Sequence, residues 1–152
     1  ISNGLDWDIS RGCMYYSDSG KDCSLWRFDY DVSTAIITNR KKIFPHAAYP
    51  DAIIDGLTLD TQGRIWAAVW EGSCIVCLSP EGELLHQIQF DTPRITSCIF
   101  GGRQLDTLYV TSCAQNTEAC ESQPLPAPAG AVFHVDVDAR GTPMHCYGLP
   151  SD

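Results

Sequence analysis

A short sequence unit occurs near the start of the chain and returns near its middle. The first copy spans residues 3–8 (NGLDWD) and the second spans residues 55–60 (DGLTLD), so both read polar-Gly-Leu-x-x-Asp. A repeat period of about fifty residues is typical of stacked β-blades, in which each blade restarts with a short strand beside a common axis. The unit therefore predicts a β-propeller architecture.

Short β-type runs separated by turn signals fill most of the chain, and helical periodicity is almost absent. The runs form three groups of four strands, which predict blades at approximately residues 1–45, 54–91 and 95–148. We expect the strands at residues 4–7, 13–17, 25–30, 35–43, 56–59, 65–69, 74–78, 84–90, 98–100, 107–111, 131–137 and 144–147. The Pro-containing segment Gln115–Gly130 is expected to be a loop, because proline cannot donate ladder hydrogen bonds. Residues 1–152 are thus predicted to form one all-β domain, a partial propeller.

Three blades are fewer than the roughly four to eight with which propellers usually close. The predicted arc is therefore either half of a six-bladed ring or one of two copies that pair. The first residue is Ile1 rather than Met, and the chain enters directly into a structured motif. From this we expect further sequence upstream.

Charge and hydropathy argue against two classes of partner. The chain has 19 acidic and 10 basic residues, and its net charge of −9 would repel a phosphate backbone. No apolar run approaches the roughly 18–20 residues that a bilayer requires. We therefore expect neither nucleic acid nor a membrane as a partner.

The eight cysteines do not form the pattern of a disulfide framework. Most lie in apolar or β-type runs, where free thiols act as small hydrophobes, and this favours a reduced, cytoplasmic protein. Cys74 and Cys77 form a Cys-x-x-Cys pair, but residues three apart on a strand point to opposite faces, which argues against a metal site. Oxidation of Cys113 with Cys120 across a loop stays open as an alternative.

Three polar residues take matching positions in the first strands of the three groups. Asn3 and Asp55 are equivalent in the repeat, and Ser97 corresponds to them at a shorter offset. An amide oxygen and a carboxylate that converge near the axis suit a divalent cation such as Ca²⁺, Mg²⁺ or Mn²⁺, with Zn²⁺ as a further candidate. Asn-Gly and Asp-Gly are also common turn dipeptides, so a plain turn remains the alternative.

Other residues are weaker candidates. Asp18 is expected in an Asx-turn rather than as an acceptor that supports a ligand. Trp70, at a strand end, is the tryptophan best placed to stack on a sugar ring. The histidines show no ligand spacing, and we expect structural or surface roles for His46, His86, His134 and His145.

Several motifs in register carry a family resemblance over essentially the whole chain. They are residues 1–7 (ISNGLDW), 15–19 (YYSDS), 28–31 (FDYD), 55–56 (DG), 63–68 (GRIWAA), 96–102 (TSCIFGG) and 108–111 (LYVT). In these motifs the chain resembles the regucalcin / gluconolactonase family, also called the senescence marker protein family. The resemblance implies a six-bladed propeller with one divalent metal ion at the top of the central channel, and hydrolysis of sugar lactones.

Carried over residue by residue, the resemblance makes Asn3 the asparagine ligand, and Asp55 the aspartate ligand and the catalytic base. In the mechanism that it implies, the cation polarises the lactone carbonyl while Asp55, or a water oriented by it, supplies the nucleophile. The family's glutamate ligand and its substrate-contacting residues have no counterpart here. The chain thus resembles the C-terminal half, blades four to six, and its expected partners are a lactone and the N-terminal half or a second copy.

Two alternatives to a lactone hydrolase remain. One is a calcium-binding regulatory protein without turnover, and the other is an inactive half-propeller or pairing module. Relatives of this fold also hydrolyse phosphotriesters or regenerate a luciferin, so the substrate is less constrained than the cation.

Overall fold

A computed structural model of the protein describes eleven β-strands and one short 3-10 turn at Ile9–Arg11. The described residues are 1–20, 24–44, 49, 53–114 and 128–143. The strands are β1 Ser2–Asp8, β2 Cys13–Asp18, β3 Ser24–Asp31, β4 Ile36–Lys42, β5 Ile53–Leu59, β6 Ile65–Trp70, β7 Cys74–Leu78, β8 Leu84–Gln89, β9 Ile95–Gly101, β10 Thr107–Ser112 and β11 Val132–Asp136. In this part of the chain, no helix is long and apolar enough to cross a membrane.

The strands form three antiparallel meanders in chain order. The first sheet has the order β1-β2-β3-β4, the second β5-β6-β7-β8, and the third β9-β10-β11 within the described residues. The first strands of the sheets lie side by side, since β1 packs beside β5 and β5 beside β9. Three meanders whose first strands line a common axis are three blades of a β-propeller, as the repeat predicts.

The middle blade is sandwiched between two hydrophobic cores. Strands β6 and β7 are almost fully buried, because both of their faces are covered. Ala67 and Val69 enter the core shared with the first blade, whereas Trp66 and Ala68 enter the core shared with the third. Successive side chains therefore enter opposite cores. Because both cores are apolar, β6 and β7 read as continuous apolar runs rather than as alternating ones.

The closing aspartate of the repeat fixes the turn that leads to the second strand in each of the first two blades. Asp8 accepts hydrogen bonds from the Ser10 hydroxyl and from the backbone and side chain of Arg11. Asp60, which is 2% exposed, accepts from Arg64 Nε at 2.6 Å and from Trp66 Nε1 at 2.9 Å. Each carboxylate therefore has a basic partner on its own turn, which offsets the cost of burying it.

The predicted strands agree with the structure except at the ends of the inner strands. Strand β5 begins at Ile53 rather than Gly56, and β9 begins at Ile95 rather than Cys98. The difference has a physical cause, because the pairing of each inner strand is irregular near its start and breaks the alternation that sequence reading relies on. The predicted twelfth strand at 144–147 and most of the predicted loop Gln115–Gly130 lie outside the described residues.

Candidate functional site

The two copies of the repeat each place their first polar residue in a β-bulge. The register of β1 against β2 shifts between Ser2 and Leu5, and that of β5 against β6 shifts between Ile54 and Leu57. Asn3 and Asp55 therefore lie inside irregular stretches of continuous strands, and the turn alternative does not apply. A bulge turns its side chains away from the regular alternation, which is how strands often present residues at sites.

Glycine after each polar residue allows the inner strands to approach closely. A Cβ atom on Gly4 would lie 2.6 Å from Leu57 N and 2.9 Å from the Asp55 carbonyl oxygen. A Cβ atom on Gly56 would lie 2.8 Å from Ser97 Cα. Backbone approach of this kind is possible only without a side chain. The three positions predicted from the repeat are thus brought onto three adjacent strands.

Asp55 is half-buried and lacks a neutralising partner among the described residues. Burial raises the pKa of its carboxyl above the ordinary value, and no described hydrogen bond or basic group counters that effect. Asp8 and Asp60, which close the two copies of the same repeat, each accept a hydrogen bond from an arginine side chain instead. A half-buried carboxylate without a partner is a group whose charge a cation would compensate.

Two serines at the C-terminal end of β2, the strand beside β1, connect the two bulges, with Ser17 inside β2 and Ser19 directly after it. Ser17, which is fully buried, donates to the Asp55 carbonyl oxygen at 2.6 Å. Ser19 donates to the Ile54 carbonyl oxygen at 3.2 Å and accepts a hydrogen bond from Asn3 Nδ2. Sequence reasoning did not single out these serines. The signal was available, since they flank Asp18 at the end of the strand paired with β1.

Ser97 differs from the other two predicted positions. It lies on β9 against Gly56, so the structure places it next to the Asp55-Gly56 step as the spacing suggests. Ser97 is exposed, however, and its neutral hydroxyl supplies no negative charge to balance a cation. That Ser97 faces the same channel as Asn3 and Asp55 stays a prediction.

Asn3 and Asp55 fit a divalent oxygen-seeking cation better than a soft metal. Within the described ranges, no three His, Cys, Asp or Glu side chains come together in a group that could hold a metal ion. A set of one amide and one carboxylate is therefore only part of a coordination shell, since Ca²⁺ takes about six to eight oxygen ligands. The remaining ligands would come from water or from residues beyond those described.

The cysteines behave as core residues. Cys74 belongs to the core between the first two blades and Cys77 to the core on the opposite face, so the pair does not converge, as predicted. Burial raises the pKa of both thiols to about 11, which keeps them protonated near neutral pH. Cys113 is partly exposed, and its suggested pairing with Cys120 stays a prediction, because Cys120 lies outside the described residues.

The weaker candidates take the roles expected of them where they are described. Asp18 accepts from Gly20 N at 2.8 Å, which is an Asx-turn, and this hydrogen bond lowers its pKa. His86 and His134 are exposed on outer strands, while His46 and His145 lie outside the described residues. The guanidinium of Arg94 lies 5.6 Å from the Trp70 ring centre, so that ring already has one cationic neighbour. Stacking of Trp70 on a sugar stays a prediction.

Three blades whose inner strands are irregular near their starts define this chain as part of a β-propeller, and two of these irregularities hold Asn3 and Asp55. The profile of the SMP-30/Gluconolactonase/LRE-like region matches residues 1–114. The chain belongs to this family.

Individual relatives agree with that assignment. Regucalcin of Oryctolagus cuniculus is 36% identical over 149 residues, which are 97% of this chain and 49% of the relative. A luciferin-regenerating enzyme superposes with a TM-score of 0.83 at 34% identity, covering 93% of this chain and 47% of that structure. A calcium-binding regucalcin from Agrobacterium tumefaciens has the same fold, with a TM-score of 0.82 at 22% identity over 98% of this chain and 50% of that structure. The chain spans about half the length of the relatives that it matches.

Proposed function

We propose that the chain is the C-terminal half of a metal-dependent hydrolase that opens sugar lactones. The observation that carries the proposal is the Asp55 carboxylate, half-buried without a described partner on the strand beside Asn3. The family name, which includes gluconolactonase, supports the substrate class. In this proposal Asn3 Oδ1 and the Asp55 carboxylate hold one divalent cation, and the other ligands come from the part of the protein that precedes this chain.

The reaction adds water across the acyl–oxygen bond of the ring. The hydroxyl of the water joins the carbonyl carbon, the bond to the ring oxygen breaks, and that oxygen takes up a proton, which gives a hydroxy acid. When bound, the cation would polarise the carbonyl and lower the pKa of water at the site. Asp55 orients the water and accepts its proton, whereas Asn3 would help to hold the cation through a neutral amide that does not exchange a proton with the substrate.

A calcium-binding protein without turnover is the second candidate. The Agrobacterium tumefaciens relative is described as a calcium-binding protein, which favours binding as a function in its own right. Asn3 and Asp55 would serve either function, because both candidate functions need a cation site. Turnover is the property that distinguishes the two candidates.

The test uses the full-length protein and measures calcium binding by calorimetry and lactone opening by acid release. Asp55→Asn should abolish lactone opening and strongly weaken calcium binding, because the amide cannot take the charge or the proton. Asp136→Asn is the matched control, since Asp136 is exposed on β11 and the substitution makes the same charge change. Calcium binding without acid release from any sugar lactone would favour the second candidate, and unchanged turnover of Asp55→Asn would reject both roles of Asp55.

We also propose that a second set of blades covers the outward faces of the first and third blades. The outward face of the first blade carries cross-strand neighbours Trp7, Met14 and Phe28, which point away from the core that contains Tyr15. On the third blade, Ile99 and Tyr109 are 43% and 41% exposed. The N-terminal half of the protein or a second copy of this chain would bury both faces.

A further inference from the structure

The side chain of Asn3 is tied to the neighbouring blade through one serine hydroxyl. Asn3 Nδ2 donates to Ser19 Oγ, and Ser19 Oγ donates at 3.2 Å to the carbonyl oxygen of Ile54. Ile54 directly precedes Asp55 on β5. Ser19 thus joins the side chain of one proposed ligand to the backbone that carries the other.

The direction of these hydrogen bonds decides which end of the Asn3 amide faces Ser19. A serine hydroxyl has one hydrogen, and here that hydrogen points to a carbonyl oxygen, which can only accept. The hydroxyl oxygen must therefore receive a donor from Asn3, and the donor of an amide is its NH₂ group. With Nδ2 held by Ser19, Oδ1 is directed away from it.

We propose that Ser19 is a positioning residue that selects the metal-binding orientation of the Asn3 amide, an inference that rests on the proposed cation site. Hard divalent cations bind the oxygen of an amide and not its NH₂ group. An asparagine that rotates freely about its terminal bond offers the wrong end part of the time. Ser19 removes that wrong orientation before the cation arrives, as partners behind metal ligands commonly do.

Ser17 has a different role, although it lies only two residues before Ser19. Its hydroxyl bonds to the backbone oxygens of Asp55 and Gly4 and touches neither proposed ligand side chain. Ser17 therefore holds the two inner strands together. Ser19 also contacts the backbone of β5, so a test must separate its effect on the amide from an effect on strand packing.

The experiment measures calcium affinity by calorimetry and thermal stability without metal, both in the full-length protein. Ser19→Ala should weaken calcium binding by about 10–100-fold, the usual effect of removing a partner behind a metal ligand. Ser19→Thr keeps a hydroxyl and should restore most of the affinity. Ser79→Ala is the control for losing a serine hydroxyl, because Ser79 caps a turn at the other end of the second blade by accepting from Glu81 N and Glu83 N. It should lower stability and leave calcium affinity unchanged.

A second background separates amide orientation from strand packing. Both ends of a carboxylate are oxygens, so an Asn3→Asp protein has no wrong orientation to exclude. The loss caused by Ser19→Ala should therefore largely disappear when it is made in the Asn3→Asp protein. An equal loss in both backgrounds, or no loss in either, would overturn the proposal.

The amide orientation is also readable without metal, which keeps this proposal distinct from the cation site itself. The Asn3 side-chain NH₂ resonances should show a cross-peak to the Ser19 β-protons, and Ser19→Ala should shift them. If that contact is seen but the unaltered protein binds no calcium, the cation site is wrong and the positioning role falls with it. If calcium binds but the contact is absent, only the role of Ser19 is overturned.

Discussion

At the scale of single residues, the repeat separates two kinds of aspartate. Asp8 and Asp60 close the unit and are surrounded by donors, whereas Asp55 opens the second copy and has no described partner. The sequence identifies all three as acidic positions in a pattern. It cannot predict which carboxylate is neutralised, because Arg11 and Arg64 become partners only through the geometry of the turns that follow.

The raised pKa of Asp55 predicts a pH dependence of stability in the metal-free protein. Below the ordinary pKa of 3.8 both the folded and the unfolded states hold the proton, and no charge is buried. As pH rises through the higher pKa of the folded state, the carboxylate ionises against desolvation and the free energy of unfolding falls. Asp55→Asn should remove this fall, so the metal-free variant becomes more stable than the unaltered protein near neutral pH.

Urea denaturation in a chelator, repeated across pH, measures this effect. Added calcium should reverse the order of stability, because only the unaltered protein gains from binding. A metal-free Asp55→Asn protein that is less stable near neutral pH would show that Asp55 has a stabilising partner.

Asp8 predicts the opposite sign. Burial acts to raise the pKa of Asp8, but hydrogen bonds from Ser10 and Arg11 outweigh it and hold that pKa below the ordinary value. The stability from Asp8 is therefore present above the unfolded-state pKa and lost as pH falls through the lower pKa of the folded state. Asp8→Asn should cost about 1–3 kcal/mol near neutral pH.

The check compares urea denaturation of Asp8→Asn and the unaltered protein at neutral and at strongly acidic pH. The difference should shrink on acidification, because protonation of Asp8 removes the ion pair with Arg11 that the Asp8→Asn protein already lacks. A constant difference across pH would mean that packing, not charge, explains the cost.

At the scale of strands, the sequence predicts the order of every described strand, and the errors in strand bounds are concentrated at the inner strands. Regular strands such as β7 are predicted to the residue, because turn residues bound an apolar run on both sides. The starts of β5 and β9 are placed too late, because the period of two is lost where the register shifts. Asn3 and Asp55 lie in irregularities of this kind on β1 and β5, so the site is the least predictable part of the fold.

The close approach of the inner strands predicts a strong effect of Gly4→Ala. The new Cβ atom would lie 2.6 Å from a backbone nitrogen of β5, so one strand must shift. We expect a loss of about 1–3 kcal/mol, as in other overpacked interiors, together with weaker calcium binding because Asn3 moves with its strand.

Gly101→Ala is the matched control for that prediction. The three atoms nearest to its Cβ atom would all belong to the ring of Tyr109, an exposed side chain that can move aside. Thermal denaturation of the two variants compares them directly. Equal losses of stability would contradict a specific need for glycine between the inner strands.

At the scale of the whole molecule, three blades expose two faces that a closed ring would cover. The all-β class, the blade order and the family were all readable from the repeat and its motifs, and the structure and the relatives confirm them. Under the proposed function, the N-terminal half of the protein or a second copy of this chain would cover the two faces. The apolar content of the faces nevertheless predicts behaviour in solution.

The 152-residue chain on its own should associate as its concentration rises, because the outward faces of the first and third blades are available to a second copy. Sedimentation equilibrium from micromolar to hundreds of micromolar concentrations would measure this. Tyr109→Asp should weaken association, since it places a charge on the third blade's exposed face, whereas His134→Asn on the same sheet keeps a polar side chain and should have little effect. A strictly monomeric, folded chain would contradict the assignment of these faces as covered surfaces.

The central claim is that Asn3 and Asp55 hold one divalent cation between neighbouring inner strands. The most direct measurement is the anomalous scattering of calcium in crystals of the full-length protein grown with Ca²⁺. We expect one strong peak about 2.3–2.6 Å from Asn3 Oδ1 and from an Asp55 carboxylate oxygen. Ordered, calcium-containing crystals in which these two side chains bind no ion would contradict the account.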